Sequence, residues 1–336
     1  MKNIYILSIG KVYRKSNNLY FIDKDKNKRV IPIEGINAIY IMNKVSLTSN
    51  AIQMILNKGV PVHFFKEDSK IGTFYYLGSL LPKQKKPSGK VHIEQVKAYI
   101  NVEKRSEIAL EIVDAIRYNM IKVIEKYREV YDYTKTLRNL DVRKEFEQKM
   151  TDWKDATNVI RGIESNIWVI FYEALDKILK TYKLERRTRR PPKNEANTIL
   201  SFSNALLYAT VLNEIYKTHL DPTVGFLHEP YEKGRFSLVL DLAEPFKPII
   251  SCRILIWLIN QGIVKPEYFK KDLMGVMLNE NGKRVVIKEF ESRIRETIKI
   301  KGKGRKSMLI FIRKQAYNLE KALVEDTKFK AFRLVY

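Results

Sequence analysis

Residues Val224 to Pro248 read VGFLHEPYEKGRFSLVLDLAEPFKP, and whether the second half is helix or strand decides how the chain is built and what it can hold. The run SLVLDLAEPF carries Asp241 and Glu244 three residues apart. A helix brings two side chains at that spacing to one face, whereas a strand would send them to opposite faces. Taken as a helix, the two carboxylates converge, with His228 a loop away and Gly234 and Arg235 in the turn between. Carboxylates in apolar surroundings are costly unless compensated. Two or three oxygen donors and one imidazole suit magnesium or manganese, with positions left for water and phosphate. The competing reading is a helix cap, or pairing with Arg235, Lys247 or Arg253.

Upstream, a helix over roughly Ala156 to Lys180 sorts its residues well. Ile160, Ile163, Ile167, Phe171, Ala174 and Ile178 form one apolar stripe at the helical period. Glu164 falls inside that stripe, while Glu173, Asp176, Lys177 and Lys180 take the far side. An acid facing the core either sits in a buried ion pair or points into a site between helices. Immediately after comes RRTRRPPK, Arg186–Lys193, with Arg186, Arg187, Arg189 and Arg190 ahead of two prolines. A helix cannot continue through those prolines. Arginine forks match phosphate oxygens, so this loop reads as a phosphate-contacting element, with a solvated charge run as the competing reading.

Working outward, 62 Lys and Arg against 38 Asp and Glu give a formal charge of +24 over 336 residues. Such an excess suits a polyanionic partner whose phosphates are neutralised with counterion release; an anionic membrane surface and plain solubility are the rival readings. One cysteine, Cys252, and four histidines exclude an intrachain disulfide, a cysteine-rich zinc site and a histidine cluster. No apolar run reaches the roughly 18 residues a membrane span needs, and MKNIYILSIG lacks a signal-peptide pattern. The expected location is cytoplasmic.

The predicted fold class is α+β. Residues 1–82 read as a strand-rich N-terminal domain: KNIYILSI, NLYFIDK, KRVIPI, AIYIM, PVHFF and TFYYL are short and rich in β-branched and aromatic residues. The exception is Thr48–Lys58, which has helical spacing after a Thr or Ser cap and stops at Gly59. His63 alternates with apolar neighbours and reads as a core or edge histidine. Residues 83–91 read as a linker on KQKKPSGK, and 92–336 as a helical domain. Its helices include one with Ile112, Ile116, Met120 and Val123 on a face, one over Thr198–Thr218 with Leu200, Leu207, Val211 and Ile215 on a face, an apolar one over Ile249–Gln261, and Met308–Val324. Lys299–Lys306, KIKGKGRK, reads as a basic loop.

In order, RGIESNIWVIFYEAL, RRTRRPP, ANTILSFSNALLYATVL and LDPTVGFLHEPYEKGRFSLVLDLAEPFKPII resemble the CRISPR-associated adaptation integrases, the first-numbered proteins of that system. The TSNAIQMILNKGVPVHFF unit is similar too, so the resemblance spans nearly the whole chain. It implies Glu164, His228 and Glu244 as ligands of a magnesium or manganese ion, with Asp241 a supporting acid of the catalytic set. Arg186, Arg187, Arg189, Arg190 and Arg235 would contact DNA. It further implies a homodimer, associated with a small second CRISPR-associated protein. That assembly inserts short duplex DNA fragments into a CRISPR repeat array by 3′-hydroxyl attack on a phosphodiester. The alternatives are a metal-dependent nuclease acting on branched or single-stranded DNA with water, and a non-catalytic nucleic-acid scaffold. Ser165, Asn194, Glu195, Asn204 and Cys252 depart from residues common in the family without removing a ligand.

Overall fold

In the computed structural model the described residues are 2–68, 73–83, 88–230, 236–271, 275–300 and 304–335. The chain opens with strands β1 (Lys2–Ile6), β2 (Gly10–Lys15), β3 (Asn18–Asp23), β4 (Lys28–Ile31), β5 (Ile36–Ile41) and β6 (Val45–Leu47). Helix α1 (Ser49–Asn57) and strands β7 (Val62–Asp68) and β8 (Thr73–Leu80) follow. They form two four-stranded sheets, ordered β1-β5-β7-β8 and β4-β3-β2-β6. In the first, β5 runs parallel to β1 and β7, and β8 closes the edge antiparallel to β7. The reading passes over β2 because GKVYRK buries only Val12, too few apolar positions to signal a strand.

Strand β5 shows what this sheet separates. All six residues of INAIYI are buried, and a strand sends alternate side chains to opposite faces. Ile39 and Ile41 meet Val12, Leu19, Phe21 and the Ala51, Met54 and Ile55 face of α1. Ala38 and Tyr40 instead join the core of the helices that follow. Helix α1 is capped by Thr48, whose hydroxyl accepts from the Ala51 N–H at 3.3 Å. It stops before Gly59, which takes the left-handed φ of 70° that favours glycine after a helix.

The helical part runs through α2 (Gly89–Ile100), α3 (Val102–Ile124), α4 (Tyr131–Asn139), α5 (Val142–Lys149), α6 (Ala156–Ile178), α7 (Glu195–Ile215), α8 (Ser237–Ala243) and α9 (Arg253–Asn260). A two-stranded ladder of β9 (Phe269–Lys271) with β10 (Val276–Leu278) precedes α10 (Glu280–Arg295). The hairpin of β11 (Thr297–Ile300) and β12 (Gly304–Ser307) leads into α11 (Met308–Val324). KIKGKGRK is thus largely this hairpin rather than a loop, with residues 301–303 outside the described set. Helix α7 also departs from the one-faced reading. It is buried nearly all round, from Ala196 to Ile215, as befits a helix through the middle of a core.

Between α8 and α9 the helical backbone changes pitch. Pro245 and Pro248 have no N–H to give the carbonyls four residues back. The chain therefore tightens into a 3₁₀ turn over Glu244–Phe246 and widens into a π turn over Pro248–Cys252. The Lys247 N–H splits between Ala243 and Glu244 carbonyls at 3.1 and 3.2 Å, and Cys252 N–H reaches Lys247 O at 3.0 Å. The expectation of a single helix over Ile249–Gln261 is corrected accordingly.

Candidate metal centre

Four side chains from three separate segments meet here. Helix α6 supplies Glu164, the loop after α7 supplies His228, and α8 with its 3₁₀ extension supplies Asp241 and Glu244. One ligand atom each from Glu164, His228 and Glu244 lies within 4.8 Å of the other two. The helical spacing of Asp241 and Glu244 is as the sequence reading requires, yet the two acids are used differently.

Asp241 is fully buried and spent on the His228 turn. Its carboxylate accepts the backbone N–H groups of Phe226, Leu227 (3.0 Å) and His228 (2.9 Å), and pairs with the His228 ring at Nδ1 (2.8 Å). Such a close approach needs Gly225. A Cβ there would stand 2.7 Å from the His228 carbonyl and 2.8 Å from the Asp241 carboxylate. With Nδ1 directed at a carboxylate, Nε2 is the nitrogen that keeps a lone pair for a cation.

Glu244 is 2% exposed. Its Oε1 accepts from the buried ammonium of Lys247, and its Oε2 is buried with no partner. Glu164 sits where the apolar stripe predicts, between Ile160, Ile163, Ile167 and Phe171, all buried. One turn on, Trp168 donates its indole N–H to Glu164 Oε1 at 3.1 Å.

The electrostatics of these groups agree. Burial, and after it the charge of Glu244, raises the Glu164 carboxyl above its ordinary range. Burial opposes the imidazolium of His228, but Asp241, Glu244 and Glu164 outweigh it and raise its pKa. Burial likewise opposes the Lys247 ammonium, and Glu244 with Tyr208 and Tyr172 more than offsets that. The pocket therefore favours positive charge. An orphaned carboxylate oxygen, a second carboxylate and an imidazole nitrogen, set close together, form a donor set that fits a divalent cation.

Lys247 was among the alternative partners in the sequence reading, and it does pair with Glu244, three residues away; Arg253 pairs instead with Glu296. Trp168 was missed, although its position four residues after Glu164 is the available signal. Glu244 follows α8 directly, because the prolines alter the hydrogen-bond period without ending the helical course.

Around the centre, Arg186, Arg189 and Arg190 are exposed, and Arg189 feels the charge of Glu244 and Glu164. Arg187 faces inward instead. It donates to Asn197 Oδ1 and Ser201 Oγ, both at 3.0 Å, and to the Thr188 carbonyl. Arg235 lies outside the described residues.

Comparison with known proteins gives the same frame. The family described as CRISPR associated protein Cas1 matches residues 4–292. The CRISPR-associated endonuclease Cas1 of Nanoarchaeum equitans is 63% identical over 336 residues, covering 100% of both chains. The solved Cas1 protein from Thermotoga maritima superposes with a TM-score of 0.83 at 34% identity, over 99% of this chain and 100% of that one. A casposase bound to its integration product shares the fold, with a TM-score of 0.81 at 22% identity over 98% and 93% of the two chains.

Proposed function

Since the chain belongs to the Cas1 family of CRISPR-associated proteins, we propose that it is a DNA endonuclease and integrase dependent on a divalent metal. It joins the 3′-hydroxyl of a short duplex fragment to a phosphodiester of a CRISPR repeat. The observation that carries this reading is the convergence of Glu164, His228 and Glu244 within 4.8 Å, with the Oε2 of Glu244 buried and unpartnered.

In this reading the three residues hold magnesium or manganese. When bound, the ion acts as a Lewis acid that favours the deprotonated hydroxyl and steadies charge on the reacting phosphoryl group. The chain's own residues prepare that chemistry. Asp241 fixes the His228 ring through Nδ1 and so its tautomer, which makes Nε2 the nitrogen that would meet the ion. Lys247 holds one oxygen of Glu244 and leaves the other toward the site, while Trp168 does the same for Glu164. The fragment's 3′-oxygen forms a bond to phosphorus as the repeat strand's P–O3′ bond breaks. The attacking hydroxyl gives its proton to solvent and the released 3′-oxygen takes one up, leaving a free 3′-hydroxyl on the repeat. Exposed Arg186, Arg189 and Arg190 contact the backbone phosphates beside the site, and Arg235 adds a further contact. The working assembly is a homodimer with a small second CRISPR-associated protein, the strand-rich residues 1–82 supplying the dimer contact and the helical part from α2 onward the catalytic domain. Of the expected linker 83–91, residues 84–87 lie outside the described set and Gly89–Val91 already belong to α2.

A strand-transfer assay beside a cleavage assay on the same DNA tests this. Wild-type protein with manganese should join fragment to repeat, and Glu164→Ala and His228→Ala should abolish both reactions while keeping the native circular-dichroism spectrum. Water-dependent cleavage without joining would assign hydrolysis instead. Near-native turnover by folded Glu164→Ala would remove the centre from the chemistry.

A further inference from the structure

The segment that follows α11 packs against Phe246, and two buried amides connect it to the backbone on either side of Glu244. Asn119 on α3 is completely buried, and Gln315 on α11 is 2% exposed. Asn119 donates from Nδ2 to the Pro245 carbonyl at 2.8 Å and to the Phe332 carbonyl at 2.9 Å, and its Oδ1 accepts the Leu334 N–H at 2.8 Å. Gln315 donates to the Leu242 carbonyl at 2.8 Å and accepts the Phe332 N–H at 2.7 Å. Leu242 and Pro245 bracket Ala243 and Glu244. Each amide therefore holds one side of the Glu244 backbone and, through its other arm, the same stretch around Phe332.

The remaining contacts pin that stretch. The Phe332 ring stacks on Phe246 at 5.0 Å and 10°, and lies 4.9 Å from Phe311. Glu111 on α3 accepts the Ala331 N–H at 2.9 Å and pairs with Arg333, which also reaches Asp114 at 2.8 Å. The arrangement matters because of where it acts. Pro245 and Pro248 remove two backbone donors at the point where the helical pitch changes, so the path around Glu244 is less determined by its own ladder than an unbroken helix would be. Amides have no charge and cannot swap donor for acceptor without losing bonds. Here each of their donor and acceptor ends meets its opposite, which fixes register as well as distance.

We propose that the segment Phe329–Leu334 is a strap that sets the position of Glu244, with Asn119 and Gln315 as the positioning residues through which it acts. The inference rests on the reading of Glu244 as a metal ligand. Asn119→Asp and Gln315→Glu keep shape but replace the donating N–H₂ with oxygen, so that it faces the Pro245, Phe332 or Leu242 carbonyl without a proton to give. Displacing a ligand's support in this way weakens metal affinity by about tenfold or more.

The test is the manganese concentration for half-maximal strand transfer, measured on full-length folded variants well below their melting temperatures, with Glu244→Gln alongside. Asn119→Asp and Gln315→Glu should raise that concentration about tenfold or more while recovering most of the wild-type rate at saturating manganese. Phe332→Leu, which removes the stack on Phe246 and leaves both amides intact, should give a smaller rise in the same direction. If Glu244→Gln raises the manganese requirement but the amide variants only melt earlier, the strap is structural and the proposal fails. If Glu244→Gln leaves the requirement unchanged, the ligand assignment itself fails, and this inference with it. Should both amide variants fail to fold, Phe332→Leu decides: an unchanged manganese requirement there overturns the proposal.

Discussion

Asparagine at position 241 would turn an N–H₂ group toward donors that now meet a carboxylate, namely the N–H groups of Phe226, Leu227 and His228 and the His228 ring. At least one buried donor would lose its acceptor. Breaking such a network costs about 3 kcal/mol or more. Asp241→Asn should therefore lower both the melting temperature and the activity. Glu244→Gln leaves the buried Lys247 ammonium without its carboxylate and so lowers the melting temperature too, but it alone should also raise the manganese requirement. A thermal melt and a manganese titration of the two variants separate these roles. A larger metal defect in Asp241→Asn, without a stability loss, would reverse them. The resemblance already set Asp241 apart from Glu244 as a supporting acid, but what Asp241 supports was not legible from two acids three apart on one apolar run. It depends on Gly225, which lets the 225–228 turn close over Asp241 and is distant from it in the chain. Glu164, by contrast, was legible, because one acid in a regular apolar stripe is visible on a helical wheel.

At the scale of elements, the arginine loop divides in a way its composition does not show. Four arginines in RRTRR look equivalent, yet Arg187 is tied to Asn197 and Ser201 of α7 while Arg186, Arg189 and Arg190 face solvent. Each phosphate neutralised adds about 0.9 to the slope of log affinity against log salt for duplex DNA. Replacing Arg186, Arg189 and Arg190 together by alanine should flatten that slope by about 2 to 3, and Arg187→Ala should reduce thermal stability more than it changes the slope. An unchanged slope in the triple variant would make the exposed arginines solvated surface. Helices α6 and α11 were readable from their apolar period. The 3₁₀ and π turns after α8 were not, since a proline in the sequence marks a missing N–H without telling whether the helix ends or changes pitch there. Strand β2 was missed because only one of its residues is buried.

Over the whole molecule, the first sheet and the helices share a core through Leu7, Ala38, Tyr40 and Phe65, and polar bonds cross the same boundary. Asn3 and Tyr5 donate to Glu291, each at 2.7 Å. His63 lies on this sheet, fully buried, its Nδ1 on Ser79 at 2.6 Å and its Nε2 without a partner. Burial drives its pKa from 6.5 down to about 3. The folded state thus keeps this ring neutral where the unfolded chain takes up a proton. Stability from this source is complete above pH 6.5 and falls as pH drops toward 3, by about 2 kcal/mol between pH 7 and pH 5. In urea titrations, His63→Gln should lose less stability than wild type over that interval; equal losses would mean that His63 titrates normally.

The +24 charge and the strand-then-helix order were plain in the sequence. The packing of sheet on helix was not, because it depends on both faces of β5 being apolar. The claim on which the functional reading turns is that Glu164, His228 and Glu244 form one cation site. Titrating the protein with manganese and following the free-ion paramagnetic resonance signal measures this without DNA. The account predicts one manganese bound per chain, with that binding lost in folded Glu164→Ala and His228→Ala. Wild-type stoichiometry and affinity retained in either variant would contradict it.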